Sequence, residues 1–214
     1  MKIEWKIAVR PEEHQEKGCV RSIIKDDLYP DLEVQAITPR FYYHKKYHSQ
    51  DEYSKILLQT KETCKDESTY FKPFILDCLN KFKNDLRLEQ IDVISLIPNG
   101  NNKYYPNIIG VAEIISHELG KPIKVLFDRQ PVQKSVERGR QNRYHDLHGK
   151  FTLKLNDLSG KTILLIDDIR SSGISVLECA EVLKKAGVLA VVSFALGTNN
   201  SNSPIIKGDV KHEV

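Results

Sequence analysis

Apolar residues in this chain follow three patterns. From Lys2 to Val9 they alternate with other residues, the period of a half-buried strand with Trp5 facing a core. Leu32–Ile37 predicts a second strand after the turn-like Tyr29-Pro30-Asp31. The period then changes to that of a helix: Tyr53, Ile56, Leu57, Thr60 and Cys64 share one face, and Phe71, Ile75, Cys78, Leu79, Phe82 and Leu86 share another, with Pro73 in the first turn of the second helix. Beyond residue 90 strands and helices alternate. Ile91–Ile97 is a strand closed by Pro98-Asn99-Gly100-Asn101-Asn102, and Asn107–Leu119 is a helix stopped by Gly120. Pro122–Phe127 and Lys150–Leu155 are shorter strands. Ile163–Ile166 and Val188–Leu196 are almost wholly apolar, as strands buried on both faces are.

This alternation predicts an α/β fold: a doubly wound, mainly parallel sheet with helices on both faces and a small amino-terminal strand and helix extension. The expected division is an extension over residues 1–50 and a main domain over 51–214. At 214 residues one core suffices, and the net charge of +3 is too small to indicate a nucleic-acid partner by itself. There is no apolar run of bilayer length and no apolar secretory core in Met1-Lys2-Ile3-Glu4-Trp5-Lys6, so the expectation is a cytoplasmic protein without a membrane partner. Cys19, Cys64, Cys78 and Cys179 form no Cys-x-x-Cys pair and are expected to be reduced, with Cys78 and Cys179 in the core. The tract Phe41–His48 interleaves tyrosines with lysines; it reads as an edge strand, with base stacking as its alternative.

The candidate chemistry is concentrated in Ile163-Leu164-Leu165-Ile166-Asp167-Asp168-Ile169-Arg170-Ser171-Ser172-Gly173-Ile174-Ser175. A buried strand ends on two adjacent carboxylates, which places them at the carboxyl edge of the sheet, where open α/β folds hold their ligands. The hydroxyl-rich turn that follows leads into a helix whose first backbone N–H groups form an anion site. Carboxylates that accept hydrogen bonds from hydroxyls, beside a seat for phosphate, suit a phosphorylated sugar.

The segment resembles the phosphoribosyl pyrophosphate (PRPP) motif of type I phosphoribosyltransferases. The resemblance implies that Asp167 and Asp168 hold the ribose hydroxyls and that Ser171, Ser172, Gly173 and Ser175 cradle the 5-phosphate. Ile174 departs from the glycine or alanine common there, and its branched side chain is expected to crowd the loop. The turn containing Asn99 and Gly100 sits where the family's pyrophosphate loop lies, yet only Lys103 follows it where arginines are usual.

Asp128–Lys150 shows no clear period and carries Arg129, Lys134, Arg138, Arg140, Arg143 and Lys150, which suits the family's flexible loop over the reaction centre. At its end, Arg143, Gly149 and the following Phe151 resemble a spaced pattern of proteins like the competence factor ComF. Asp146 stands in place of that pattern's asparagine, Gln133 is out of register, and the zinc ribbon of many ComF proteins is missing. The resemblance implies a Mg²⁺-dependent phosphoribosyltransferase that uses PRPP and a small nitrogenous acceptor, with Arg138, Arg140 or Arg143 closing over pyrophosphate, Arg143 being the one singled out, and the amino-terminal region with the tail after Leu196 serving as a hood. It also implies a homodimer, and Mg²⁺ held largely by the diphosphate, ribose hydroxyls and water rather than by protein ligands. The alternative is a non-catalytic PRPP-binding regulatory or nucleic-acid-associated protein.

Overall fold

Two clusters of buried side chains lie on opposite faces of one sheet, and the strands between them are the most apolar stretches of the sequence. The computed structural model describes residues 18–42, 51–131, 140–155 and 157–199. The expected strand Lys2–Val9, Trp5, residues 43–48 of the Phe41–His48 tract, and Gln133, Lys134 and Arg138 lie outside them.

Along the chain come β1 (Val20–Ile24), β2 (Val34–Thr38), β3 (Arg40–Tyr42), α1 (Glu52–Thr63), α2 (Ser68–Phe82), a 3-10 turn (Leu88–Gln90) and β4 (Val93–Leu96). There follow α3 (Pro106–Leu119), β5 (Phe127–Arg129), α4 (Arg140–Leu147), β6 (Phe151–Leu153), β7 (Thr162–Arg170), α5 (Ile174–Lys185) and β8 (Ala190–Asn199). The main sheet has the order β1-β2-β8-β7-β4, and β3 adds to the far end of β8. β1 is antiparallel to β2, and every other pairing in this sheet is parallel. Helices α1, α2 and α3 supply the first cluster and α5 the second, so both faces are covered, as the alternation of elements requires.

β7 is the central strand. Ile163, Leu164, Leu165 and Ile166 are fully buried, the odd residues in the second cluster and the even ones in the first. Full burial of one such side chain stabilises by roughly 1.5–3 kcal/mol. The register Ile166↔Phe194 and Ile166↔Leu96 fixes where β7 outruns β4, leaving Asp167 and Asp168 beyond the end of that neighbour.

Four local expectations need correction. Pro73 lies in the second turn of α2, because the helix begins at Ser68; the proline removes one intrahelical bond, and the buried face of Phe71, Ile75, Cys78, Leu79 and Phe82 keeps the helix intact. Cys64 leaves the α1 face: it is exposed and takes a left-handed conformation (φ 54°) that ends the helix. Pro122–Phe127 is not one strand. Ile123 bridges to Ile94, and the chain then turns away to form β5, antiparallel to β6, in a separate two-stranded sheet. The described residues of Asp128–Lys150 include most of β5 and all of α4, regular structure that the lack of a clear period did not predict.

α2 and α3 approach closely at Gly110. A Cβ there would lie 2.3 Å from Ser68 Oγ and 2.7 Å from Ser68 Cβ. Gly110→Ala is therefore expected to lower stability by about 1–3 kcal/mol through overpacking, despite alanine's better helix propensity. Chemical denaturation would measure it, and a stabilised variant would contradict this packing.

Candidate active site

At the carboxyl edge of β7 lies an open cavity of about 470 Å³. Its walls include Asp167, Asp168, Ser171, Ser172, Gly173 and Ser175 from the motif, Asn99 and Gly100 from the turn after β4, and Arg143 from α4. Positions from Tyr42 to Ser175 thus meet around one space, because parallel strands all deliver their carboxyl ends to the same edge.

The carboxylates are only partly exposed. Asp167 Oδ1 accepts the Asp168 N–H at 2.9 Å, and Asp168 Oδ1 accepts the Ile169 N–H at 2.5 Å. The other Asp168 oxygen, Oδ2, lies 2.8 Å from Lys61 Nζ. Burial, followed by the neighbouring charge of Asp168, pushes the Asp167 carboxyl up to about 7. For Lys61, burial pulls downward, but Asp168 and Asp167 outweigh it and hold the ammonium above its usual range.

One wall of the cavity is built by a tight turn into α5. Gly173 has φ 78°, and a Cβ on it would lie 2.6 Å from Ile24 Cγ2, so both backbone and space demand glycine. Ser171 is exposed and Ser172 and Ser175 are partly exposed. Ile174 does not crowd the loop as expected: it is fully buried in the second cluster, so its branched side chain anchors the helix start from beneath.

Four side chains here went unassigned in the sequence. Lys61 reaches the carboxylates from the last turn of α1. Arg129, at the end of β5, donates from Nη1 to the Pro98 carbonyl at 3.0 Å, and its backbone N–H bonds Asn102 Oδ1 at 2.8 Å. A cation from β5 is thereby fastened to the turn that follows β4. Its guanidinium lies over the Phe151 ring, 5.2 Å from the centroid, and burial, then Arg143, lowers its pKa. Arg170 is 5% exposed, and its Nε and Nη2 are buried without a hydrogen-bond partner. Burial brings it down to about 10, against the attraction of Asp167. Tyr42 completes the wall beside Lys61. The basic composition of residues 128–150 was the available signal for Arg129; for Lys61 there was none, since a lysine in a helix's last turn is ordinary.

Behind the cavity, Glu178 of α5 is a buried carboxylate with three partners: the Tyr29 hydroxyl, the Gly149 N–H at 3.1 Å and His148 Nδ1 at 3.0 Å. Tyr144 stacks on His148 and meets Tyr29 edge-on. This group fixes the end of α4, which carries Arg143 and Asp146 to the cavity. The side chain of Arg140 lies outside the description.

Residues 109–211 match the family model of the phosphoribosyl transferase domain. The match covers just under half of the chain, from within α3 to beyond β8, and includes the acidic pair and the phosphate turn. No curated protein matches the chain significantly. Among solved structures, a purine phosphoribosyltransferase from Pyrococcus horikoshii is 20% identical over 61% of this chain and 76% of its own, with a TM-score of 0.39. An orotate phosphoribosyltransferase from Aeropyrum pernix is 14% identical over 90% and 82%, with a TM-score of 0.37. A glutamine PRPP amidotransferase from B. subtilis, in a complex with ADP and GMP, is 18% identical over 50% of this chain, with a TM-score of 0.35; the match spans only 24% of that protein.

The raised pKa of Asp167 has a stability consequence. A carboxyl whose folded value exceeds its unfolded one binds more protons in the folded state, so stability falls as pH rises from about 4 to about 7. Asp167→Asn should be more stable than wild type at pH 8, by on the order of 2 kcal/mol, with the difference vanishing toward pH 4. Denaturant melts at both pH values measure this; a pH-independent difference would contradict the buried, charge-crowded setting of Asp167.

Proposed function

We propose that this protein binds PRPP with Mg²⁺ and transfers its phosphoribosyl group to a nitrogen acceptor resembling a nucleobase, releasing pyrophosphate. The observation that carries this reading is the single cavity in which the paired carboxylates, the phosphate turn and the Asn99–Gly100 turn converge with Arg129 and Arg143.

In this reading the 5-phosphate is anchored by Ser171, Ser172, Gly173 and Ser175 at the start of α5, and Asp167 and Asp168 accept hydrogen bonds from the ribose hydroxyls. As the bond from C1 to pyrophosphate breaks, positive charge develops on the sugar, and the nearby carboxylates favour it. Arg129, already fastened to the Pro98 carbonyl, and Arg143 face the departing diphosphate. The acceptor nitrogen takes the place of pyrophosphate at C1, and its proton leaves to the departing pyrophosphate or to water as the new bond forms.

The donor set fits magnesium. Asp167 and Asp168 border an open space with room for a diphosphate and its waters, which with the ribose hydroxyls would supply most of the hard oxygen ligands, and the nearby negative charge would favour a divalent cation. When bound, the ion would offset charge on the leaving diphosphate.

One observation favours a second reading, in which PRPP is held without turnover. Asn99 Oδ1 takes the N–H groups of Asn101 and Lys103, at 2.9 and 3.1 Å, so part of the turn's donor capacity is used within the turn. Arg129 supports the catalytic reading because it adds a fixed cation to that same turn.

Titration calorimetry of PRPP with Mg²⁺, paired with pyrophosphate release across a panel of nitrogenous bases, separates the two. Release with at least one base supports transfer; binding without release supports the holding reading; absence of binding overturns both. The Asp167→Asn, Asp168→Asn double variant should bind PRPP at least about tenfold more weakly, since charged-acceptor hydrogen bonds are each worth roughly 1.5–3 kcal/mol. Arg129→Ala should slow pyrophosphate release by about tenfold or more, an effect on the order of 1.4 kcal/mol; an unchanged rate would remove Arg129 from the reaction.

A further inference from the structure

An ion pair joins Lys61 to Asp168, one of the two acids at the carboxyl edge of β7. Asp168 Oδ1 is taken by the Ile169 N–H and Oδ2 by Lys61 Nζ at 2.8 Å. Lys61 comes from α1, outside the segment that matches the family model, and its side chain is one-third exposed on the cavity wall beside Tyr42 and Leu58. A lysine is a point charge on a flexible stem, so its ammonium can move between anions that lie within its reach. The same cavity holds the Asn99–Gly100 turn, Arg129 and Arg143, the cationic side proposed for the diphosphate.

We infer that Lys61 is a specificity-determining residue that selects for a ligand carrying both a diol and a diphosphate: its ammonium passes from Asp168 to the incoming diphosphate, which frees Asp168 for the ribose hydroxyls. Ribose 5-phosphate brings the diol and the 5-phosphate but no anion at C1 to receive the ammonium. It must compete with Lys61 for Asp168, or bind while leaving that oxygen engaged. PRPP exchanges one ion pair for another and meets no such competition. The lysine thereby discriminates between the activated sugar and its hydrolysed counterpart at a residue that does not touch the phosphate turn.

This inference rests on the proposed PRPP site and predicts effects that differ between two ligands. Calorimetry on the full chain with Mg²⁺ would compare PRPP with ribose 5-phosphate for wild type, Lys61→Met and Lys61→Arg. Wild type should bind PRPP at least tenfold more tightly than ribose 5-phosphate. Lys61→Met should weaken PRPP tenfold or more, yet leave ribose 5-phosphate within twofold or tighten it, because Asp168 is released. Lys61→Arg, which keeps the charge, should preserve the wild-type order. Lys61→Gln carries the same expectation as Lys61→Met and replaces it if thermal melts show the methionine variant unfolded. A parallel loss of both ligands marks Lys61 as merely structural, and no change in either removes it from the site; both outcomes overturn the inference while PRPP binding by wild type stands. If wild type binds neither ligand, the proposed function itself fails.

Discussion

The burial of β7 between two neighbouring strands and two helical layers constrains everything else at this site. A charge cannot be placed within such a strand without a large desolvation cost. It can be placed where the strand outruns its neighbour, and β4 ends opposite Ile166, one residue before the acidic pair. The carboxylates are thus held by a rigid backbone yet open to a cavity, and their incomplete solvation is what raises Asp167. Side chains that reach this edge then contend with an electrostatic field set largely by two adjacent acids.

Cations assembled around that field come from separate parts of the chain: Lys61 from α1, Arg129 from β5, Arg143 from α4 and Arg170 from β7 itself. Each is fixed differently. Lys61 is paired with Asp168, Arg129 is bound to a carbonyl and stacked on an aromatic ring, and Arg143 is exposed on a helix secured from behind by Glu178. Arg170 is buried with two unpaired nitrogens, a costly arrangement that the Asp167 charge partly offsets. Two of the four cations, Lys61 and Arg170, thus answer directly to the acidic pair, and the other two are held by contacts of their own.

Much of the fold was legible in the sequence because uninterrupted apolar runs such as Ile163–Ile166 and amphipathic stretches such as Phe71–Phe82 report burial directly. The motif from Asp167 to Ser175 was legible because its residues are adjacent, and adjacency survives folding. The fate of Pro122–Phe127 was not, since a short apolar run does not say which neighbour it will pair with. Cys64 was misplaced because face periodicity carries no information about where a helix stops. Lys61 was unreadable as a cavity residue for a different reason: its relevance depends on non-local register, which brings α1 to the edge of β7, and no local pattern marks that, whereas Arg129 was legible only as one of several basic residues in 128–150.

The buried Glu178 carboxylate determines how far this molecule can be divided. The family match begins at residue 109, yet Glu178 within it hydrogen-bonds Tyr29, and β8 pairs along one side with β2. A fragment confined to residues 109–211 would keep the acidic pair and the phosphate turn. It would also leave β8 as a bare apolar edge, open to pairing with other chains, and remove one hydroxyl from an acid that water does not reach. The segment bearing the recognisable chemistry is thus not a physically independent unit; its solubility and the seating of its cationic helix are properties of the whole chain.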